Sequence, residues 1–333
     1  MSQMREKGFT LLELLVVVVV LGVLSVSIAP YFDVATTLRS EAYALDQDRI
    51  NRGIAAGMME WVAATDDLNL PAPFTDGADD VYSAPLDPDD AANLELVQYI
   101  QDRAVDVTQI TSDGTNMERV RVYQRLNDRI LTVPLLGASG PGVTLTYDVA
   151  AVYSTRCDRN DAGCNGAPLP GDSPALNAGN VATWDTAGTD SNPVMISTIS
   201  LHRERLRVSA FRMNRVRDQI RAFANAQLLA APPGSTTNFL PGAGAPLGAT
   251  NQGCWQNWLD LSTSAVLSTV GLGPEEFGVT AWDGAVEYCS DYDPAGTGPD
   301  LQPHVGALRI NVDVSRGLAP DPGVPGNNAF LTF

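Results

Sequence analysis

The chain has 333 residues, 44% of them hydrophobic, and a formal net charge of −18. The length allows two domains, and the hydrophobic content is sufficient for packed cores. The negative charge argues against a broad nucleic-acid-binding surface, which needs an excess of Lys and Arg. Phosphate-binding loops, dinucleotide fingerprints, Gly-x-Ser-x-Gly and His-Glu-x-x-His are absent from the sequence, so we expect no enzymatic activity.

A basic segment followed by a long apolar run forms the N-terminus. Two basic residues precede Gly8, and residues 9–29 are almost entirely apolar. A run of about 20 apolar residues can span a bilayer as a helix, with its basic flank in the cytoplasm. Glu13 is the one ionisable residue of the run, and a carboxylate in such a segment indicates a function. Cleavage after Gly8 would give Phe9 an amine one helical turn from Glu13.

The residues from Lys7 to Pro30 resemble the N-terminus of class III prepilins, the family of type IV pilins and the pseudopilins of type II secretion. The resemblance implies that residues 1–8 form a leader, that prepilin peptidase cleaves between Gly8 and Phe9, and that Phe9 is then methylated. It also implies that Glu13 and Pro30 act in assembly. A secretory signal peptide and a simple membrane anchor are the alternatives, and neither explains Glu13.

Helical periodicity continues beyond the apolar run, so we predict one helix over residues 9–62 with a transmembrane half at 9–29. Pro30 is expected to kink or loosen this helix because proline lacks a backbone donor. The first half is predicted to pack among sister helices and the amphipathic half beneath the globular part of the same chain. The apolar stripe of that second half consists of Tyr31, Ala35, Leu38, Ala42, Leu45, Ile50, Ile54, Met58 and Trp61.

Residues 63–190 are predicted to form a first globular lobe. Residues 65–95 are rich in Asp, Pro and Ala, which is typical of a solvated acidic loop. Apolar and polar residues alternate at 119–122 and 143–149, which indicates half-buried antiparallel strands. The segment Cys157–Cys164 is interpreted as a tight, disulfide-closed turn. Calcium binding by Asp158, Asn160 and Asp161 is the alternative for this segment.

Residues 191–333 are predicted to form a second, pilin-like helix-plus-sheet lobe. A helix from about 198 to 231 ends at Pro232-Pro233-Gly234, and Leu38-Arg39 and Ala42-Tyr43 match Leu206-Arg207 and Ala210-Phe211 at an offset of 168. This helix is rich in arginine, and we expect its arginines to meet acidic loops of the same protein or of a neighbour. A nucleic-acid or membrane face is the alternative. A strand is predicted over residues 308–314, followed by an irregular tail from Gly317.

Four cysteines in an exported chain predict two disulfides. Three pairings are open, and we favour pairs within one lobe. A zinc site assisted by His202 and His304 is the alternative, although the cysteine spacings are not those of zinc sites. The favoured pairs are Cys157–Cys164 and Cys254–Cys289.

These patterns predict an α+β protein in which a long N-terminal transmembrane and amphipathic helix packs on an antiparallel β-sheet, as in pilins, with a second helix-plus-sheet lobe. We expect a minor or unusual type IV pilus subunit whose large lobes are available for adhesion. A type II secretion pseudopilin and a membrane-anchored extracytoplasmic binding domain are the alternatives. No cofactor is expected apart from the calcium alternative.

The expected partners are prepilin peptidase, other pilin subunits in a homo- or heteropolymeric filament, and an inner-membrane assembly platform. The precursor is expected to cross the inner membrane once and to hold its bulk outside the cytoplasm. After cleavage, the protein is expected in a cell-surface or periplasmic filament.

Overall fold

The computed structural model describes residues 11–65, 68–74, 86–112, 119–136, 140–158, 176–177, 179, 181, 193–298 and 302–333. Within its helices and strands, the side chains of residues 11–16, 21–36, 119–120 and 155–158 are not described. The fold is α+β, with an N-terminal helix and two antiparallel sheets, as the sequence predicted.

Helix α1 runs without interruption from Leu11 to Ala64. Ile50, Ile54 and Met58 are fully buried, because they share one face of the helix and pack against the part of the chain that follows α1. We call that part of the chain the body. The sequence placed the start of this packed face at Tyr31, and that boundary is wrong: Leu38 and Leu45 are 60% and 71% exposed. Among the described side chains of α1, those from about Gln47 onward are the ones that the body covers. Among the side chains described, no helix combines the length and the apolar character needed to span a membrane.

Two short helices follow α1 in a segment where the sequence predicted no helix. A 3-10 helix at Ala91–Asn93 leads into α2 at Leu94–Gln101, and α3 lies at Thr108–Thr111. Asp90 caps the 3-10 helix by accepting a hydrogen bond from the amide of Ala92. One face of α2 is buried and packs on α1. The prediction of a solvated acidic loop up to residue 95 is therefore wrong at its C-terminal end.

The first sheet has three antiparallel strands in the order β1-β2-β3, formed by Arg119–Pro134, Gly142–Asp158 and Val194–Ser197. The register between β1 and β2 shifts between Leu126 and Arg129. Asp128 lies in this irregularity with φ of 54°, a conformation that Asp tolerates better than most residues.

Helix α4, Ile199–Ala230, follows β3 directly, and α5 and α6 are single turns at Val266–Thr269 and Pro274–Phe277. The second sheet is antiparallel in the order β4-β5-β6-β7. Its strands are Leu259–Asp260, Glu287–Cys289, Ala307–Asn311 and Asn328–Thr332. Further 3-10 turns lie at Val314–Arg316 and Pro325–Asn327. The tail predicted to be irregular contains β7, which pairs with β6, so that prediction is wrong.

The two sheets are joined directly. The amide of Thr144 in β2 donates to the carbonyl of Val312 over 2.8 Å, and the amide of Thr146 donates to Ser315 Oγ over 2.8 Å. A continuous cluster of buried apolar side chains extends from α1 through the first sheet and α4 to the second sheet. The division into lobes at residues 63–190 and 191–333 remains a prediction.

Candidate functional site

The residues that the sequence assigned to leader cleavage and assembly lie at or before the start of α1. Gly8 and Phe9 lie outside the described residues. Glu13 and Pro30 lie within the helical backbone of α1, but their side chains are outside the described part. Their roles therefore remain predictions. The structure does place Glu13 and Pro30 on one continuous helix with the residues that hold the body.

The N-terminal part of α1 carries apolar side chains that the rest of the described chain leaves uncovered. Val17 to Val20 are exposed, and so are Leu38 and Leu45. From Thr37 to Asp46 every side chain is exposed or half-exposed. Burying one such aliphatic side chain contributes about 1.5–3 kcal/mol. This part of α1 would therefore gain stability by packing against a further apolar surface.

A buried polar cluster fixes α1 to the first sheet. The guanidinium of Arg121 in β1 donates to Gln47 Oε1 over 2.7 Å, to Ser154 Oγ over 3.0 Å, and to Asn51. It also donates to the carbonyl of Gln109 over 2.7 Å. The side chains of this cluster are almost completely buried, namely those of Arg121, Gln47, Asn51 and Ser154. A buried cation is tolerated only when its donors are satisfied, so this cluster fixes the position of α1 along β1 and β2.

Two glycines allow α2 and its flank to approach α1 closely. A Cβ at Gly57 would lie 2.7 Å from Ile100 Cα, and a Cβ at Gly53 would lie 2.6 Å from Val105 Cγ2. Glycine lowers helix stability by about 1 kcal/mol relative to alanine. Here it permits a backbone contact that a larger residue would prevent.

Asp148 in β2 connects three parts of the chain. Its carboxylate accepts the amide of Leu70 over 3.0 Å and the amide of Asp128 over 3.3 Å, and Arg125 lies 3.8 Å away. Its own backbone exchanges hydrogen bonds with Thr198 at the start of α4. Burial raises the pKa of Asp148, and the hydrogen bonds and Arg125 oppose that effect.

A polar cleft of about 420 Å³ lies where the first sheet, α4 and the second half of the chain meet. It presents carboxylates and guanidinium groups together, so its lining offers hydrogen-bond donors and acceptors of both charges. The lining residues are Asn69, Asp128, Thr146, His202, Arg205, Trp282, Asp283, Ser315, Arg316 and Gly317.

His202 and Trp282 form the buried wall of this cleft. They are 4% and 7% exposed, and their rings stack with centroids 6.1 Å apart. His202 Nδ1 and Trp282 Nε1 have no hydrogen-bond partner among the described residues. Burial, aided by the charge of Arg205, lowers the pKa of His202 to about 4, so the ring is neutral near pH 7.

The cysteine predictions differ in outcome. Cys254 and Cys289 form a disulfide with Cα atoms 5.9 Å apart, as the sequence predicted. The predicted Cys157–Cys164 pair lies outside the described side chains, and so do the alternative calcium ligands Asp158, Asn160 and Asp161. No group of three or more metal-ligating side chains occurs in the described part of the chain.

Sequence analysis missed the buried polar residues that organise the body. Gln47 and Asn51 lie in phase with Ile50 and Ile54, so polar residues on an apolar helix face were a usable signal. His202 likewise lies one helical turn before the buried Leu206 of α4. Their partners lie far away in sequence, and no local pattern identifies them.

Residues 3–29 match the prokaryotic N-terminal methylation motif, which is the class III signal peptide of type IV pilins and pseudopilins. This confirms the resemblance at the N-terminus. The match covers the beginning of α1 and none of the body. No curated protein and no solved structure is significantly similar to the chain.

Proposed function

We propose that this chain is a subunit of a type IV pilus-like filament, of a minor or unusual kind, that prepilin peptidase processes before assembly. The observation that carries the proposal is the methylation motif at residues 3–29. Support comes from the continuity of α1, which runs from this motif into the body with an uncovered segment between them. In this arrangement the N-terminal part of α1 is available for assembly, and its C-terminal part is packed on the body.

In this proposal the uncut precursor sits in the inner membrane with its body outside the cytoplasm. Cleavage after Gly8 frees an amine on Phe9, and the apolar helix moves from lipid into the filament core. Glu13 then neutralises the Phe9 amine of a neighbouring subunit, because an unpaired charge is costly in apolar surroundings. Methylation of Phe9 keeps that positive charge.

The partners follow from this route: prepilin peptidase, an inner-membrane assembly platform and other subunits of the filament. The body is the displayed part, and its net negative charge keeps it soluble outside the cell. In this role the chain carries out no catalytic step and uses no cofactor.

Substituting Glu13→Ala tests the assembly role. We expect normal removal of the leader, seen as a mass decrease, but a strong loss of the protein from filaments released by shear. Glu41→Ala is the matched control, since it removes an exposed glutamate from the same helix, and it should assemble normally. Normal assembly of Glu13→Ala would refute the role of Glu13, and cleavage of a Gly8→Asp variant would refute the cut site.

The same fractionation separates the related functions. A protein in long sheared fibres is a pilin, and one that forms the bulk of such fibres is a major pilin. A pseudopilin would be confined to short periplasmic assemblies and would be needed for protein secretion. A chain that stays with the membrane after shear would be an anchored binding domain, which would refute the proposal.

A further inference from the structure

Helix α4 is a basic element in an acidic protein. It contains seven of the 21 Lys and Arg residues and only two of the 39 Asp and Glu residues. Three of these arginines are partly covered: Arg205 and Arg212 donate to carbonyls of Ala281 and Val279, and Arg217 pairs with Asp218. The remaining four arginines lie on the exposed side of the helix.

The centre of that exposed side is apolar. Phe211 is 63% exposed, the highest value for any aromatic side chain in the described part of the chain. Arg207 and Arg215 lie one turn before and one turn after it, and the neighbouring Val208 is also exposed. An exposed aromatic ring flanked by arginines is the composition of the energetic centre of a protein–protein interface.

The arginines of this patch are available to a partner. Arg207 pairs with Glu204 over 3.1 Å, but both side chains are largely exposed, and such pairs rearrange easily. No carboxylate of the described residues forms an ion pair with Arg215. We name the surface of Arg207, Val208, Phe211 and Arg215 the basic patch.

The exposed side of α2 has the opposite character. Leu94 is 56% exposed, and Glu95 and Asp102 lie on the same open side. The opposite side of α2 is buried against α1, so this face is held rigidly. Asp89 and Asp106 add further exposed carboxylates at its two ends. We name the surface of Leu94, Glu95 and Asp102 the acidic patch.

The two patches are opposite in charge and similar in the spacing of their charged residues. Arg207 and Arg215 are separated by about 12 Å along α4, and Glu95 and Asp102 by about 10 Å along α2, at about 1.5 Å per residue. We propose that the basic patch of one subunit docks on the acidic patch of a second copy of this chain. This inference rests on the proposed filament function and names one contact between neighbouring bodies.

A second copy is the occupant that the charges favour, because the chain outside α4 is strongly acidic. The proposed contact is heterologous: each subunit places its basic patch on one neighbour and its acidic patch on another. Heterologous contacts that do not close into a ring extend into open helical assemblies. Phe211 and Leu94 would add an apolar part to the contact, and the charges would set register and orientation.

Charge reversal tests the pairing in cells that make the full chain. The basic-patch variant is Arg207→Glu with Arg215→Glu, and the acidic-patch variant is Glu95→Arg with Asp102→Arg. We expect each to be processed normally but to fall about tenfold or more in the sheared-filament fraction, because like charges then face each other. The variant with all four changes should recover to within about twofold of wild type, because opposite charges face each other again.

Two controls accompany the reversal. Arg207→Lys with Arg215→Lys keeps both charges and should assemble like wild type. Limited proteolysis of each variant checks that the body remains folded. If the fourfold variant stays as defective as the twofold ones, the basic patch does not pair with the acidic patch of a second copy, and the inference is overturned.

Engineered cysteines test the contact directly. Phe211→Cys and Gln98→Cys in one chain should give a ladder of disulfide-linked oligomers in the oxidising compartment, because the exposed Gln98 lies midway between Glu95 and Asp102. Each single substitution should remain monomeric. Disulfide-linked dimers of the Phe211→Cys single variant would show that the α4 helices of two subunits face each other. This result would overturn the inference.

The outcomes separate the inference from the function on which it rests. Wild-type protein in sheared filaments without a ladder from the double-cysteine variant would overturn the inference and leave the filament function standing. Wild-type protein missing from sheared filaments would overturn the filament function. A ladder formed without filaments would still support the pairing of the two patches.

Discussion

Acid should destabilise the body of this protein through His202. The pKa of this side chain is about 4 in the folded chain, against an ordinary value of 6.5, because the ring is buried and lies near Arg205. Between these two pH values the unfolded chain binds a proton that the folded chain does not. Stability is therefore complete above pH 6.5 and is lost as the pH falls toward 4.

The size of the loss follows from the shift. One pKa unit corresponds to about 1.4 kcal/mol, so His202 alone should remove about 2.5 kcal/mol of the free energy of unfolding between pH 7.5 and pH 4.5. This is a large share of the about 5–15 kcal/mol that stabilises a typical domain. Protonation of Asp148 acts in the opposite direction, because burial raises the pKa of its carboxyl.

The assay is urea unfolding of the full chain in detergent, followed by tryptophan fluorescence at pH 7.5 and pH 4.5. His202→Phe keeps an aromatic ring beside Trp282 but cannot be protonated. At pH 7.5 it should be about as stable as wild type, and at pH 4.5 it should be more stable by about 2.5 kcal/mol. His304→Gln, which replaces the other histidine of the chain, should retain the wild-type loss. An equal loss in His202→Phe would refute the reasoning.

Two further predictions concern the free energy of unfolding in urea. Gly57→Ala should lower it by about 1–2 kcal/mol, since the new methyl group meets the backbone of Ile100 and overpacking exceeds the gain in helix propensity. Ala56→Gly at the adjacent exposed position is the control and should lower the free energy of unfolding by about 1 kcal/mol. If Gly57→Ala were more stable than wild type, α2 would not pack tightly on α1. Replacing Cys254 and Cys289 with alanine should lower the free energy of unfolding by up to about 4 kcal/mol relative to oxidised wild type. An unchanged urea midpoint of the alanine variant under non-reducing conditions would contradict this.

Features that depend on local periodicity could be predicted from the sequence. The repeat of apolar residues around Ile50 and Ile54 gave the C-terminal part of α1, and strict alternation over 143–149 placed β2. These patterns are local because one face of a helix or strand meets the core at a fixed period. The cleavage motif was equally local, and its match is confirmed at residues 3–29.

Features that depend on distant partners could not be predicted. Helix α2 is short and follows an acidic, proline-rich segment, so its burial depends on the glycines of α1. Strand β7 is defined by pairing with β6, and its own residues carry little alternation. The cleft joins His202 to Trp282 and Asp128, and neither the register shift at Asp128 nor the stacked rings leave a sequence pattern.

The buried cluster around Arg121 determines how the protein would bear tension. A pull along α1 would load the body in shear, because the covered part of the helix lies lengthwise against α2 and the first sheet. Gln47 and Asn51 stand at the end of that covered part nearest to the uncovered helix, so their hydrogen bonds with Arg121 would be strained first. Behind them, Ile54, Met58 and Val62 are buried by apolar packing, and Glu60 pairs with Arg103 at the surface. Directional bonds at the loaded end and apolar packing behind them would make sudden sliding, rather than gradual peeling, the way in which the body detaches from its helix.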